Sequence, residues 1–404
     1  MSINFKSLAG FAGLLCILAS ASGADWLRFR GPNGSGVAAD VGVPISWSEG
    51  ENIAWKAPLT GRGSSCPIVI GERIVLTSCS GYRQDRLHVV CFDSVEGKQI
   101  WERQLWATGR TMTHSSICPA APTPVSDGER VFAYFSTNDL ACFDLDGNLL
   151  WLRGLLIDYP NASNSLGLAS SPLIVGDTLV VQIENDSQSI ALALDASTGE
   201  TRWALDRPTS ANWTSPVLVE RGDGQPPVVA LQGSSGVSGH DPYTGDEVWR
   251  YDVGCSTIPS SVAQQGIVYV PSNGLTALRP RPGSVGPEVL WQNNRLGSST
   301  PTPLVYQSQV FTVSGSVLKC ADVNSGKVLW QLRLKGKFSG SPIAASDHVY
   351  LFNQSGEGQV VEIGDKRGRR VGGGALGETI LCGPAIADQA LYVRSDQHLW
   401  KIAK

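Results

Sequence analysis

The chain has 404 residues with 36 acidic and 32 basic side chains, a net charge of −4. That balance leaves no basic footprint for a nucleic acid. With 45 glycines, 23 prolines and only 17% charged residues, the composition suits turn-rich all-β structure. No stretch reads as a long amphipathic helix or a charged tail.

Residues 1–24, MSINFKSLAGFAGLLCILASASGA, set Lys6 before an apolar run from Leu8 to Leu18 and a small-residue end. This predicts a secretory signal peptide, too short to span a membrane, with cleavage after Ala21 or Ala24. Leu15 stands before Cys16 where a lipoprotein signal wants Gly, Ala or Ser. A soluble exported protein, periplasmic or secreted, is therefore expected, with no later transmembrane segment.

Residues 25–50 read as an extension packed on the main domain. Its GPNGSG run (31–36) lacks the preceding strand and following helix of a phosphate loop. Arg28 and Arg30 are expected to be paired with acids or solvated.

From residue 51 the chain repeats itself. FDSVEGKQIW, LDASTGETRW, HDPYTGDEVW and ADVNSGKVLW each keep Asp, three residues, Gly, three residues, Trp. The positions are Asp93, Gly97 and Trp101; Asp195, Gly199 and Trp203; Asp241, Gly245 and Trp249; and Asp322, Gly326 and Trp330. Asp144, Gly147 and Trp151 form the same unit one residue shorter, and Trp291 survives without the Asp–Gly turn. A second landmark, a proline opening a short apolar run, falls at Pro67, Pro124, Pro172, Pro216, Pro303, Pro342 and Pro384, with Ser261 in its place once. These eight starts recur every 40–60 residues or so, the spacing of β-propeller blades.

Each unit parses into four strands. In the third they are a proline-led inner strand, 178–183, 189–195, and an outer strand with ETRW (200–203). Asp can cap the turn amides, Gly can supply a positive φ, and Trp can cover the seam to a neighbouring blade. The last repeat lacks an outer strand, and residues 52–56, ending near Trp55, are expected to complete it. That predicts an eight-bladed, all-β propeller of four-stranded blades over residues 51–404, closed by its N-terminal strand. Val371 is expected to replace the Trp of the seventh blade.

The Asp-x-x-Thr-Gly-x-x-x-Trp phrase, eight blades and N-terminal closure resemble the PQQ-like propeller family, which spans quinoprotein dehydrogenases and BamB-like scaffolds. DWLRFRGPNGSGV (25–37) is similar to the N-terminal signature of secreted planctomycete members. The resemblance implies two functions. One is a non-catalytic, cofactor-free scaffold, monomeric, that binds a protein or polysaccharide partner through one face. The other is an oxidoreductase using PQQ and Ca²⁺ on alcohols or sugars. The family's dehydrogenases have an adjacent cysteine pair, which this chain lacks, and no CxxCH haem motif is present, so no catalytic residue is carried across.

The propeller topology places the inter-blade loops on one face. They bring forward Arg110, His114, Asp158, Asn164, Arg207, Trp213 and Arg295, joined by Glu184, Asn185 and Asp186 of a hairpin loop. The oxygen side chains could bind a hard cation or merely shape the turn. Arg207 and Arg295 could bind an anion, and Trp213 could stack on a ligand. No metal site is assigned. Of the eight cysteines after residue 24, Cys91, Cys142 and Cys320 read as small core residues. The even count permits disulfides in an exported chain.

Overall fold

In each repeat the aspartate folds the chain back. Asp195 accepts from the Ser197 and Thr198 amides at 2.8 and 3.1 Å, and Asp241 accepts from Tyr243 and Thr244 at 2.8 and 3.1 Å. Gly199 and Gly245 follow with φ of +74° and +80°, a conformation that costs other residues. The structure, a computed structural model, describes residues 25–39, 42–163, 166–222, 224–281 and 285–404. The expected signal peptide and Asn164 lie outside them.

The hairpins build eight four-stranded antiparallel sheets. Blade 3 is typical, with strands Leu173–Val175, Thr178–Ile183, Ser189–Asp195 and Thr201–Arg207. Its outer strand continues past Trp203 to Arg207, beyond the expected ETRW. Neighbouring blades touch through their short inner strands, which line a central channel. Among the described residues helix is confined to Leu155–Asp158 and one 3₁₀ turn, Asn294–Leu296. Blade 8 is completed by Ile53–Pro58 pairing with His398–Ile402 in the register Lys56↔Trp400. This removes two open sheet edges.

The repeat tryptophans lock each blade to the next. The Trp203 indole N–H donates to Pro242 O at 2.9 Å in the following blade's turn. Trp55, Trp101, Trp151 and Trp291 bond in the same way to Ser94, Leu145, Ala196 and Val323. Each acceptor immediately follows the aspartate of the next copy. The ring then lies on that copy's glycine: a Cβ at Gly97 would fall 2.6 Å from Trp55, and one at Gly326 2.4 Å from Trp291. Glycine is thus needed for space as well as for φ.

Two positions depart from the expected pattern. Trp249 faces a blade without the Asp–Gly turn. It is 1% exposed, tucks over Gly239 of its own sheet, and its indole N–H has no acceptor among the described residues. In blade 7 the register sets Gly372, not Val371, opposite Val360, at the place Trp330 holds opposite Cys320. A Cβ there would lie 1.9 Å from Ile45 O. The extension passes through that space instead, with Gly373 N bonded to Ile45 O at 2.8 Å and Trp47 stacked on Phe352 at 5.5 Å.

The extension does more than pack on the outside. Trp26 exchanges both backbone bonds with Val69 on the inner strand of blade 1, and Leu27 O accepts from Ser126 N of blade 2. Ala38 N and Gly36 O pair with Ala344 of blade 7. Residues 26–38 therefore cross the channel at the end where the Asp–Gly hairpins emerge. Arg30 is 4% exposed and meets no acid, contrary to expectation. Its guanidinium donates to Ser35 O and Pro303 O at 2.8 Å and to Pro342 O at 3.3 Å. Gly36 leaves it room, since a Cβ there would come within 2.7 Å of Nη2. Arg28 is also largely withdrawn from water, with Nη1 near Ile174 O at 3.4 Å. A cavity of about 30 Å³ remains between Arg28, Phe29 and the inner strands of blades 3 to 5, room for about one water.

Candidate functional site

With the hairpin end plugged, the channel's other mouth is framed by the residues that open each inner strand. They bond around the ring. Cys66 N donates to Thr123 Oγ1 at 3.0 Å, Thr123 N to Ser171 Oγ at 3.0 Å, and Ser171 N to Ser215 Oγ at 2.9 Å. Ser215 N continues to Ser260 Oγ, Ser260 N to Thr302 Oγ1, and Thr302 N to Ser341 Oγ at 3.0–3.2 Å. The repeated hydroxyl before proline is thus a spoke between blades. That recurrence was visible in the sequence, but its partner was not.

Outside this rim lie the inter-blade loops, knitted into one arc. Arg62 Nη2 donates to Ser115 O at 2.8 Å, and His114 N to Leu166 O at 2.8 Å. Trp213 Nε1 donates to Gly167 O at 2.8 Å, and Trp213 N to Thr257 O at 2.8 Å. Backbone bonds between loops make a surface firmer than separate loops would give. Trp213 serves as its tie, half-buried between two loops.

The other expected residues divide sharply. Arg110 and His114 are exposed on the arc, where His114 Nδ1 accepts from Ser116 N at 3.2 Å. Asp158 is exposed and ion-paired with Arg153. Arg295 is exposed on the 3₁₀ turn, some blades away. Asp186 is exposed and accepts from Ala211 N at 3.2 Å. Asn185 is buried and caps its own turn, accepting from Ser187 and Gln188 amides at 2.7 and 3.0 Å.

Glu184 and Arg207 meet each other rather than a ligand. Glu184 Oε1 accepts from Arg207 Nε at 2.7 Å and from Gln182 Nε2 at 2.7 Å. Arg207 also reaches Ser238 Oγ at 2.9 Å and Leu231 O at 3.1 Å. Burial pushes the Glu184 carboxyl up, against the opposing pull of Arg207. Beside the pair lies an open recess of about 610 Å³, but Arg250 there is bound to Glu247 and His240 to Gly245 O and Ser238 Oγ.

Glu184, Asn185 and Asp186 therefore do not converge as cation ligands. Among the described residues no group of three or more His, Cys, Asp or Glu side chains is placed to hold a metal ion.

What sequence reading missed is apolar. Met112 (53% exposed), Ile157 (79%), Leu166 (43%) and Ile258 (47%) stand out of the arc. Isolated in loops or, for Ile157, in a single helical turn, they carry no periodicity to flag them.

A family profile described as outer membrane protein assembly factor BamB matches residues 36–217, 119–314 and 314–404. The outer membrane protein assembly factor BamB of Alkalilimnicola ehrlichii is 29% identical over 163 residues, 40% of this chain and 37% of that protein. The aligned stretch thus spans well under half of that relative. BamB from Moraxella catarrhalis superposes with a TM-score of 0.61 at 15% identity, covering 86% of this chain and 99% of that one. The quinohemoprotein alcohol dehydrogenase from Comamonas testosteroni superposes at 0.69 and 12% identity, covering 96% and 82%. At such identities the likeness is one of fold.

Proposed function

Because the chain belongs to the PQQ-repeat family described as outer membrane protein assembly factor BamB, we propose that it is an exported, cofactor-free scaffold whose inter-blade loop arc docks a protein partner. The observation that carries this reading is the arc itself. It is braced by the Arg62–Ser115, His114–Leu166, Trp213–Gly167 and Trp213–Thr257 bonds, and it presents Met112, Ile157 and Leu166 to solvent beside the charged Arg110. Apolar anchors with a polar rim are the composition of a protein-binding surface. Aliphatic anchors fit a protein better than a polysaccharide. The relatives named as assembly factors suggest a partner in outer-membrane protein assembly. Export rests on the signal peptide read in residues 1–24, and one copy per scaffold is the state proposed.

A photo-crosslinker placed at Met112, Ile157 or Leu166 in producing cells is expected to trap one discrete partner. The same probe at Leu329, exposed on an outer strand, should not. Equal trapping at all four positions, or none, would count against the arc. The second reading, a PQQ enzyme, is the one that the repeat's resemblance to quinoprotein dehydrogenases implies. Saturable, Ca²⁺-dependent PQQ binding with dye reduction by alcohols would establish that reading in place of the scaffold.

A further inference from the structure

The ring of hydroxyl spokes is broken on both sides of blade 8, and one of these two seams carries sulfur instead. Where blade 8 meets blade 1, the residue before the proline of blade 1 is Cys66, and its counterpart in blade 8 is Gly383, preceded by Cys382. Cys66 and Cys382 lie side by side at this seam, near enough for their thiols to interact, with the Cys382 thiol turned toward Arg394 O at 3.7 Å. The inner strands carrying this pair, Ile68–Ile70 and Ala385–Ala387, are in contact. A second pair lies nearby. Cys79, on the Arg73–Ser80 strand of blade 1, shares a buried cluster with Cys118, at the end of the loop that carries Arg110 and His114; the Cys79 thiol lies 3.3 Å from Arg62 O.

All four sulfurs are enclosed: Cys66 is 6% exposed, Cys79 1%, Cys118 0% and Cys382 6%. The remaining thiols are placed differently. Cys91, Cys142 and Cys320 each sit opposite a repeat tryptophan, and Cys255 contacts Val253 O. Apolar burial is the first cause acting on each of these four.

We propose that Cys66–Cys382 and Cys79–Cys118 are two disulfides of the exported protein, and that the other four cysteines remain thiols. The first joins the first blade to the last, across a seam that no hydroxyl spoke serves. The second pins the loop bearing Arg110 and His114. The compartment beyond the inner membrane is oxidising enough to form such bonds. Each forms by exchange with a disulfide oxidant. One thiolate attacks the oxidant's S–S bond and releases one thiol. The partner thiolate then attacks the mixed disulfide and releases the second. Two protons leave the protein and the oxidant gains both electrons. Arg394 favours the attacking thiolates: it is 1% exposed, and its charge lowers both Cys118 and Cys382.

The test is a thiol count on the full chain, refolded with oxidised and reduced glutathione, then denatured and alkylated without reductant. After residue 24 we expect label on Cys91, Cys142, Cys255 and Cys320 only, with peptide mapping linking Cys66 to Cys382 and Cys79 to Cys118. Dithiothreitol should raise the labelled sites to all eight. Cys382→Ser should add label at Cys66 and leave the other link intact. Reduction should also increase tryptic cleavage after Arg110 in the native protein. Eight labelled thiols after glutathione treatment, or any other pairing, would overturn the proposal. The wild-type map decides this even if Cys382→Ser fails to fold, and it does not depend on what the loop arc binds.

Discussion

Trp203 shows how much one side chain can hold. It is 8% exposed, bonded to Pro242 O and seated on Gly245, so it belongs to two blades at once. Trp203→Ala should cost roughly 3–5 kcal/mol through the cavity left at that seam, measured by denaturant unfolding; a near-neutral result would remove the wedge role. The Glu184–Arg207 pair makes a pH-dependent prediction. Arg207→Met leaves a buried carboxylate without its cation, a loss of roughly 3–5 kcal/mol near neutral pH. The Glu184 pKa, already raised by burial, would rise further. The folded state then takes up a proton while the unfolded chain is still ionised. The deficit should shrink as pH falls through the folded pKa and level off below the unfolded value. A deficit independent of pH would mean that Glu184 is not the group left exposed to the low dielectric.

At the scale of elements, the strands were largely legible. Thr178–Ile183 and Ser189–Asp195 have the bounds their alternation predicts, because a repeated hairpin writes its turn residues at fixed offsets. The partner of each tryptophan was not legible. Spacing within a repeat suggests that Asp, Gly and Trp serve one another, whereas the ring docks on the next copy's turn, a contact about one blade away in sequence. The partners of Arg30 in the extension were misread for a related reason. Arg30 carries no local sign that its acceptors are carbonyls, two of them at Pro303 and Pro342. Arg30→Met should leave several of these oxygens unpaired and cost about 1–3 kcal/mol in urea unfolding. No change would indicate that water replaces the guanidinium.

At the scale of the whole molecule, the eight-bladed closure followed from counting repeats, since eight starts and a missing last strand leave the N-terminal strand as the piece that fits. The candidate site was legible only as a face. Topology says which loops emerge together, and Arg110 and His114 lie exposed on the arc. It cannot say which polar side chains turn inward to satisfy one another, as Glu184, Arg207 and Asn185 do, nor that exposed Met112 and Ile157 would mark the surface. The plugged channel carries one more consequence, for the order of assembly. Residues 26–38 precede every blade in the chain, yet their backbone and side-chain partners run from Val69 to Ala344. They can seat only when the ring around them exists, so the segment that leaves the ribosome before any blade is among the last to be buried. Trp26 has its backbone partner, Val69, in the first blade, whereas Gly36 and Ala38 must wait for Ala344 of the seventh, so it is their pairing that times the completion of the ring.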